Sequence, residues 1–249
     1  MITNYFRPET IKEALELLSQ PDTRPLGGGT WLNQPHDEKF VVVDLQALGL
    51  NKIHKAGNNL DIDACVTLQQ LLESPECPVA LKQAIRLDSS LNIRSTATVA
   101  GSLVSGDGRS TFATAMLALD AKITTTTDQS TETSGIGEFL PLRPTGLITK
   151  ISIPLNFKTA FEMVARTPAD KPIVCAALAQ WTSGRTRLAL GGYGKAPTLA
   201  MDGTESDGID SAAQNAFHEA SDEWASAEYR MDVAITLSKR CLEAVSSNQ

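Results

Sequence analysis

Four cysteines and three histidines are few for a chain of 249 residues, and their scarcity excludes several chemistries. Cys65, Cys77, Cys175 and Cys241 stand far apart with no C-x-x-C pair, so the local spacing that builds a zinc site or an iron–sulfur cluster is missing. They read as buried or incidental thiols. His36, His54 and His218 show neither metal-ligand spacing nor a nucleophile–base arrangement, which sets hydrolytic and metal-dependent chemistry aside. Positive charge is also short. Lys and Arg number 22 against 29 Asp and Glu, a formal net charge of −7, and no basic run offsets it, so a nucleic-acid surface is excluded. No stretch approaches the ~20 apolar residues of a membrane span. The start, Met1-Ile2-Thr3-Asn4-Tyr5-Phe6-Arg7-Pro8, lacks the basic and apolar regions of a secretory leader. The expectation is an acidic cytoplasmic protein in a reducing compartment. If it is an enzyme, a bound cofactor supplies the reactivity.

Two glycine-containing turns stand out against that background: Pro25-Leu26-Gly27-Gly28-Gly29-Thr30 and, some seventy residues on, Ala97-Thr98-Val99-Ala100-Gly101-Ser102. Consecutive amides with little side-chain bulk let a backbone press against a phosphate, and two such turns can grip one pyrophosphate. Neither is a P-loop, since no Gly-Lys-Ser/Thr follows. Neither gives Gly-x-Gly-x-x-Gly between a strand and a helix with an acidic residue about twenty positions on. Rossmann and kinase-type readings are disfavoured.

Apolar residues at 11, 14, 15 and 18 behind Thr10 and Glu13 predict a first helix. A short strand then enters the first turn, an apolar run follows at 40–45, and a hairpin forms around Gly57-Asn58-Asn59. Residues 67–74 predict a short helix behind Thr67, and 78 to about 91 a longer one with Pro78 in its first turn. The second glycine turn follows, at or near a helix N-terminus, and 110–119 reads as a buried helix. Residues 123–137 start as a β-branched strand and pass into a polar loop. From 147 the texture changes. Segments 147–153, 160–166, 173–181 and 187–190 predict four strands of one antiparallel sheet, and 211 to about 246 an amphipathic helical tail against it.

In order and spacing these residues resemble the flavin-carrying medium subunit of the molybdenum hydroxylases, the carbon monoxide dehydrogenase, xanthine dehydrogenase and aldehyde oxidase family. The likeness rests on the turn at 26–30 and Val-Asp-Leu at 43–45. It continues with the Ile-Arg segment leading into the second turn at 93–103, Leu-Ala-Leu-x-Ala at 117–121, Ile-x-Ile-Pro at 151–154 and Ser-Ala-Glu-Tyr-Arg at 226–230. The resemblance implies an α+β chain: an N-terminal FAD-binding α/β domain of two subdomains over 1–150, and a C-terminal antiparallel sheet packed with helices over 151–249.

It implies FAD as cofactor, held by Arg24, Pro25, Leu26, Gly27, Gly28, Gly29, Thr30 and Trp31 in the first turn. Thr98, Val99, Ala100, Gly101 and Ser102 supply the second, with Ser110 and Thr111 near the ribose and Ile148 in the flavin pocket. Backbone amides do most of the holding, and no residue acts as a proton-transfer catalyst. The implied partners are a small subunit with two [2Fe–2S] clusters, a large subunit with the molybdenum cofactor, and an external electron acceptor.

The chain departs from the family pattern at several places. Alanine stands at 97 and 100 where glycine is usual, Ser102 where Asn is, and Thr111 where Asp is. Met163 replaces a flavin-proximal lysine, and Lys171 an aromatic near the isoalloxazine. An alanine at a site needing positive φ costs about 1 kcal/mol or more, whereas one with ordinary φ only crowds the ligand. The alternative reading is a flavin-free relative kept as a structural or assembly subunit.

Overall fold

Thr10 opens the first helix by capping it. Its Oγ1 accepts the Glu13 N–H at 3.2 Å, and α1 (Ile11–Leu18) buries Ala14. The structure, a computed structural model, describes residues 1–34 and 37–247; His36 lies outside the described residues. β1 (Ile2–Phe6) and β2 (Thr23–Leu26) flank β3 (Phe40–Asp44) in a parallel sheet of order β1-β3-β2. Phe40, Val42 and Val43 are buried on the central strand, the pattern of a parallel strand covered on both faces. The first glycine turn leaves the C-terminal end of β2, the end at which parallel sheets open ligand crevices.

The second unit is an antiparallel sheet with helices over one face. β4 (Ile53–Ala56) and β5 (Asn59–Asp63) form the hairpin around Gly57, which turns at φ +61°. β6 (Lys122–Thr126), β7 (Thr131–Gly135) and β8 (Leu147–Pro154) complete the order β4-β5-β8-β6-β7. Over it run α2 (Leu68–Glu73), α3 (Val79–Asp88), α4 (Leu91–Arg94), α5 (Val99–Ser105), α6 (Thr111–Ala118) and α7 (Ile136–Leu142). Thr67 and Gln70 close a reciprocal capping box on α2. All eight residues of α6 are buried, because this helix is wedged between the helices of the second unit, chiefly α3, and the third sheet.

The third sheet, β12-β11-β10-β9, is antiparallel: β9 (Phe157–Val164), β10 (Val174–Trp181), β11 (Thr186–Gly191) and β12 (Thr198–Gly203). Phe161, Cys175, Ala177 and Ala179 share the main core with α6, while Val174, Ala176 and Leu178 face the other way, against α8 (Ile209–Ala216) and α9 (Ala227–Ser247). Strand alternation thus feeds two cores from one strand.

Several elements differ from the sequence reading. Residues 147–153 join the second sheet rather than the third, since Ile151 pairs with Ile62 on one side and Ile123 on the other. That isoleucine ladder carries the second unit to Pro154, so position 150, taken as the end of the first domain, falls inside β8. Residues 131–135 are strand rather than loop: cross-strand hydroxyl pairs Thr124–Thr133 (3.0 Å) and Thr126–Thr131 (3.2 Å) hold the hairpin. The helix expected to reach 91 ends at Asp88, whose carboxylate turns to bond the start of α6. The helical tail is two helices, separated at 217–226 by a loop fastened to Arg230. β12 had no counterpart in the sequence reading.

Candidate functional site

The two glycine turns touch. A Cβ on Gly27 would stand 2.8 Å from Thr98 Oγ1, and one on Gly28 would overlap the Thr96 carbonyl and the Ala97 backbone. The other turn by itself therefore requires glycine at 28. Gly29 adopts φ +70°, the left-handed region glycine enters without cost.

In the first turn the amides of Gly27, Gly28, Gly29, Thr30 and Trp31 have no hydrogen-bond partner among the described residues. The second turn lies at a helix N-terminus, as the first turn of α5, but its amides are taken: Val99 N–H by Val66 O (2.8 Å), Ala100 N–H by Ala64 O (3.3 Å), Gly101 N–H by Thr98 Oγ1 (3.1 Å) and Ser102 N–H by Thr98 O (2.9 Å). What it can offer is the Thr98 and Ser102 hydroxyls and a surface kept low by Ala100 and Gly101.

A cavity of about 310 Å³ opens between the turns. Arg24, Pro25, Gly27, Gly28, Gly29, Thr30 and Trp31 line it from one side, Thr98, Ala100 and Gly101 from another, with Ile148, Leu147, Phe139 and Cys65 beneath. A second, more polar cavity of about 550 Å³ shares Thr30, Trp31 and Ser105 with it and is bordered by Ser102, Ser110, Asp88, Arg109 and Lys171. Leu26, Val99 and Thr111 border neither. Leu26 packs on the Leu32–Phe40–Val42 cluster, Val99 is in the main core, and Thr111 is fully buried with Oγ1 on Ala84 O at 2.8 Å.

Charge is placed unevenly around this cleft. Arg24 is ion-paired with Glu38 and lies 4.7 Å over the Phe40 ring, with Trp31 at 5.9 Å. Arg143, held at φ +42° after α7, bonds Gly106 O, and its Nε is buried without a partner among the described residues. Arg109 donates to Pro172 O and Lys171 O, both at 2.9 Å, while Lys171 Nζ meets Asp107 at 2.8 Å. Burial pushes the Cys65 thiol up to about 11, helped by the nearby Asp44 and Asp63 carboxylates. This cysteine lines the cavity as a neutral, apolar wall.

Ala97 and Ala100 keep ordinary φ, so neither is strained. Met163 packs against the main core and borders neither cavity. Asp88, Arg109, Cys65 and Arg143 border the cleft without having been singled out in the sequence as site residues; no local motif marks them, because their approach depends on tertiary pairing.

Residues 1–156 match the family model described as FAD binding domain in molybdopterin dehydrogenase. The chain is 28% identical over 239 residues to the protein YgfM of Escherichia coli, covering 92% of this chain and 91% of that one. It is 25% identical over 221 residues to the glyceraldehyde dehydrogenase medium chain of Sulfolobus acidocaldarius, covering 80% and 78%. Among solved structures, CO dehydrogenase of Oligotropha carboxidovorans superposes with a TM-score of 0.85 at 25% identity, covering 99% of this chain and 98% of that one. The chain belongs to the FAD-binding domains of the molybdopterin dehydrogenases, the medium-subunit family of the molybdenum hydroxylases, whose cofactor is FAD.

Proposed function

We propose that this chain is the electron-transfer subunit of a molybdenum hydroxylase-type oxidoreductase, with FAD lying in the cleft between the two turns. The observation that carries the reading is the row of five unpartnered amides, Gly27 to Trp31, on the wall of a cavity. Buried or cleft-facing amides are ordinarily paired, and a row of them is a diphosphate's complement. Arg24, Pro25, Gly27, Gly28, Gly29, Thr30 and Trp31 form the phosphate wall, and Leu26 supports it from behind, packed on the Leu32–Phe40–Val42 cluster. Thr98 and Ser102 add hydroxyls, Ala100 and Gly101 leave room, and Ile148 packs against a ring. Val99 and Thr111 act from behind, Val99 through the core under α5 and Thr111 through the Ala84 carbonyl. Ser110 borders the polar cavity.

FAD bound here would supply a carrier able to exchange electrons singly or in pairs. The chain's own residues bind and orient it and leave an opening for a partner. Electrons arrive from the [2Fe–2S] clusters of a small subunit, fed by the molybdenum cofactor of a large one, and leave to an external acceptor in the cytoplasm. Among the described residues no cluster of His, Cys, Asp and Glu could hold a metal, and no helix is long and apolar enough to cross a membrane.

Titrating the purified chain with FAD tests the reading. Retention of a yellow species through gel filtration, with flavin absorption bands and displacement by excess ADP, is the expected result. A colourless chain that takes up no FAD at high micromolar concentration, alone or with its co-purified complex, overturns it and leaves the flavin-free assembly subunit.

A further inference from the structure

Asp88 ends α3 at the edge of the polar cavity, and its two carboxylate oxygens have different surroundings. Oδ1 is saturated: it accepts from Ser110 Oγ at 2.8 Å, Phe112 N–H at 3.0 Å and Thr111 Oγ1 at 3.3 Å. This side of the group ties α3 to the start of α6. Oδ2 accepts no bond among the described residues. It is also absent from the set of buried unpartnered atoms, so it is open, and the residue borders the cavity. Next to it, Ser89 Oγ on the same wall is buried with no partner among the described residues.

An ionised carboxylate accepts only, and an oxygen left open on a cavity wall takes the donor that enters, a water or a ligand hydroxyl that displaces it. Among the described residues no basic side chain forms an ion pair with it: Arg109 is turned to Pro172 and Lys171, and Lys171 to Asp107. A phosphate is repelled here, while hydroxyl and ring N–H groups are attracted. We infer that Asp88 Oδ2 is a ligand-binding and specificity-determining group for the proposed cofactor, accepting a hydroxyl or ring N–H of the dinucleotide at the end of the cleft away from the diphosphate. The inference rests on the FAD reading. The charged amide-rich turn selects the anionic middle of the molecule, and Asp88 selects a neutral donor at one of its ends.

Asp88→Asn tests this cleanly. The amide oxygen can keep the three bonds now made by Oδ1, while Oδ2 becomes an NH2 donor that meets the ligand's donor head-on. FAD affinity should fall at least tenfold with the melting temperature of the unliganded chain kept within a few degrees. Asp88→Ala, which also loses the tie to α6, serves as the control for destabilisation. Riboflavin and ADP titrations identify the end that is read: the one whose affinity falls in Asp88→Asn carries the donor. Wild type that binds FAD while Asp88→Asn binds it equally well overturns the inference and leaves the FAD reading intact. Wild type that binds no FAD overturns both.

Discussion

Glycines that look equivalent in the two turns do different work, and substitution separates them. Gly28 faces the Thr96 carbonyl and the Ala97 backbone, which cannot move aside as a side-chain tip can. Gly28→Ala should therefore push the turns apart, costing about 1–3 kcal/mol as an overpacking change, and should reduce FAD uptake together with stability. Gly101 presents a milder case, because an added Cβ meets only Thr98 Oγ1 at 2.9 Å. Gly101→Ala should cost less stability than Gly28→Ala, at most about 1 kcal/mol where the Thr98 cap must give, and should weaken FAD binding by crowding the cavity. Paired thermal denaturation and FAD titration on the two variants decide the matter. Equal loss of stability in both contradicts the contact of the turns.

At the scale of elements, helix caps and hairpins were legible because their causes are local. Thr10 and Thr67 announce their helices, and Gly57 its hairpin. What was not legible is decided by residues distant in sequence. The Ile62–Ile151–Ile123 ladder moves β8 into the second sheet, and nothing within 147–154 says which neighbours it will find. The second turn had the right residues for an anion site, yet Val66 O and Ala64 O take its amides across a bridge that only the fold creates. The break between α8 and α9 belongs here as well. Arg230 is fully buried on α9; its guanidinium bonds Ile173 O, Ala220 O, Ala225 O and the Asp222 carboxylate, and lies 5.2 Å over the Tyr193 ring. One side chain thus fastens the interhelical loop to the start of β10. Arg230→Ala leaves the buried Ile173 and Ala220 carbonyls without this donor, while Asp222 and the Ala225 carbonyl keep N–H groups of the loop itself, so it should destabilise by about 2–4 kcal/mol. Urea denaturation measures it, and a loss below 1 kcal/mol contradicts the role given to this residue.

Across the whole molecule, the cores are unequal. The second and third sheets share a large core through α6, whereas the parallel sheet has only two small clusters. Of the residues beyond the first fifty, Leu147 is the one buried side chain in either cluster. Cys65 packs against the same cluster with its Sγ on Leu45 O at 3.7 Å, and the glycine turns touch, with the cleft between them. The weakest seam therefore runs through the proposed cofactor site, and local opening should release the parallel sheet before the remainder unfolds. A ligand that bridges the seam stabilises the closed form by RT ln(1 + [L]/Kd), about 2.7 kcal/mol at a hundred times Kd. Hydrogen exchange followed by mass spectrometry should show the amides of β2 and β3 exchanging faster than those of β10 in the unliganded chain. Saturating FAD should slow the first set by up to about a hundredfold and leave β10 almost unchanged. Uniform slowing of both sets would mean that the chain opens as one cooperative unit, and no slowing of β2 and β3 would place the ligand away from the seam.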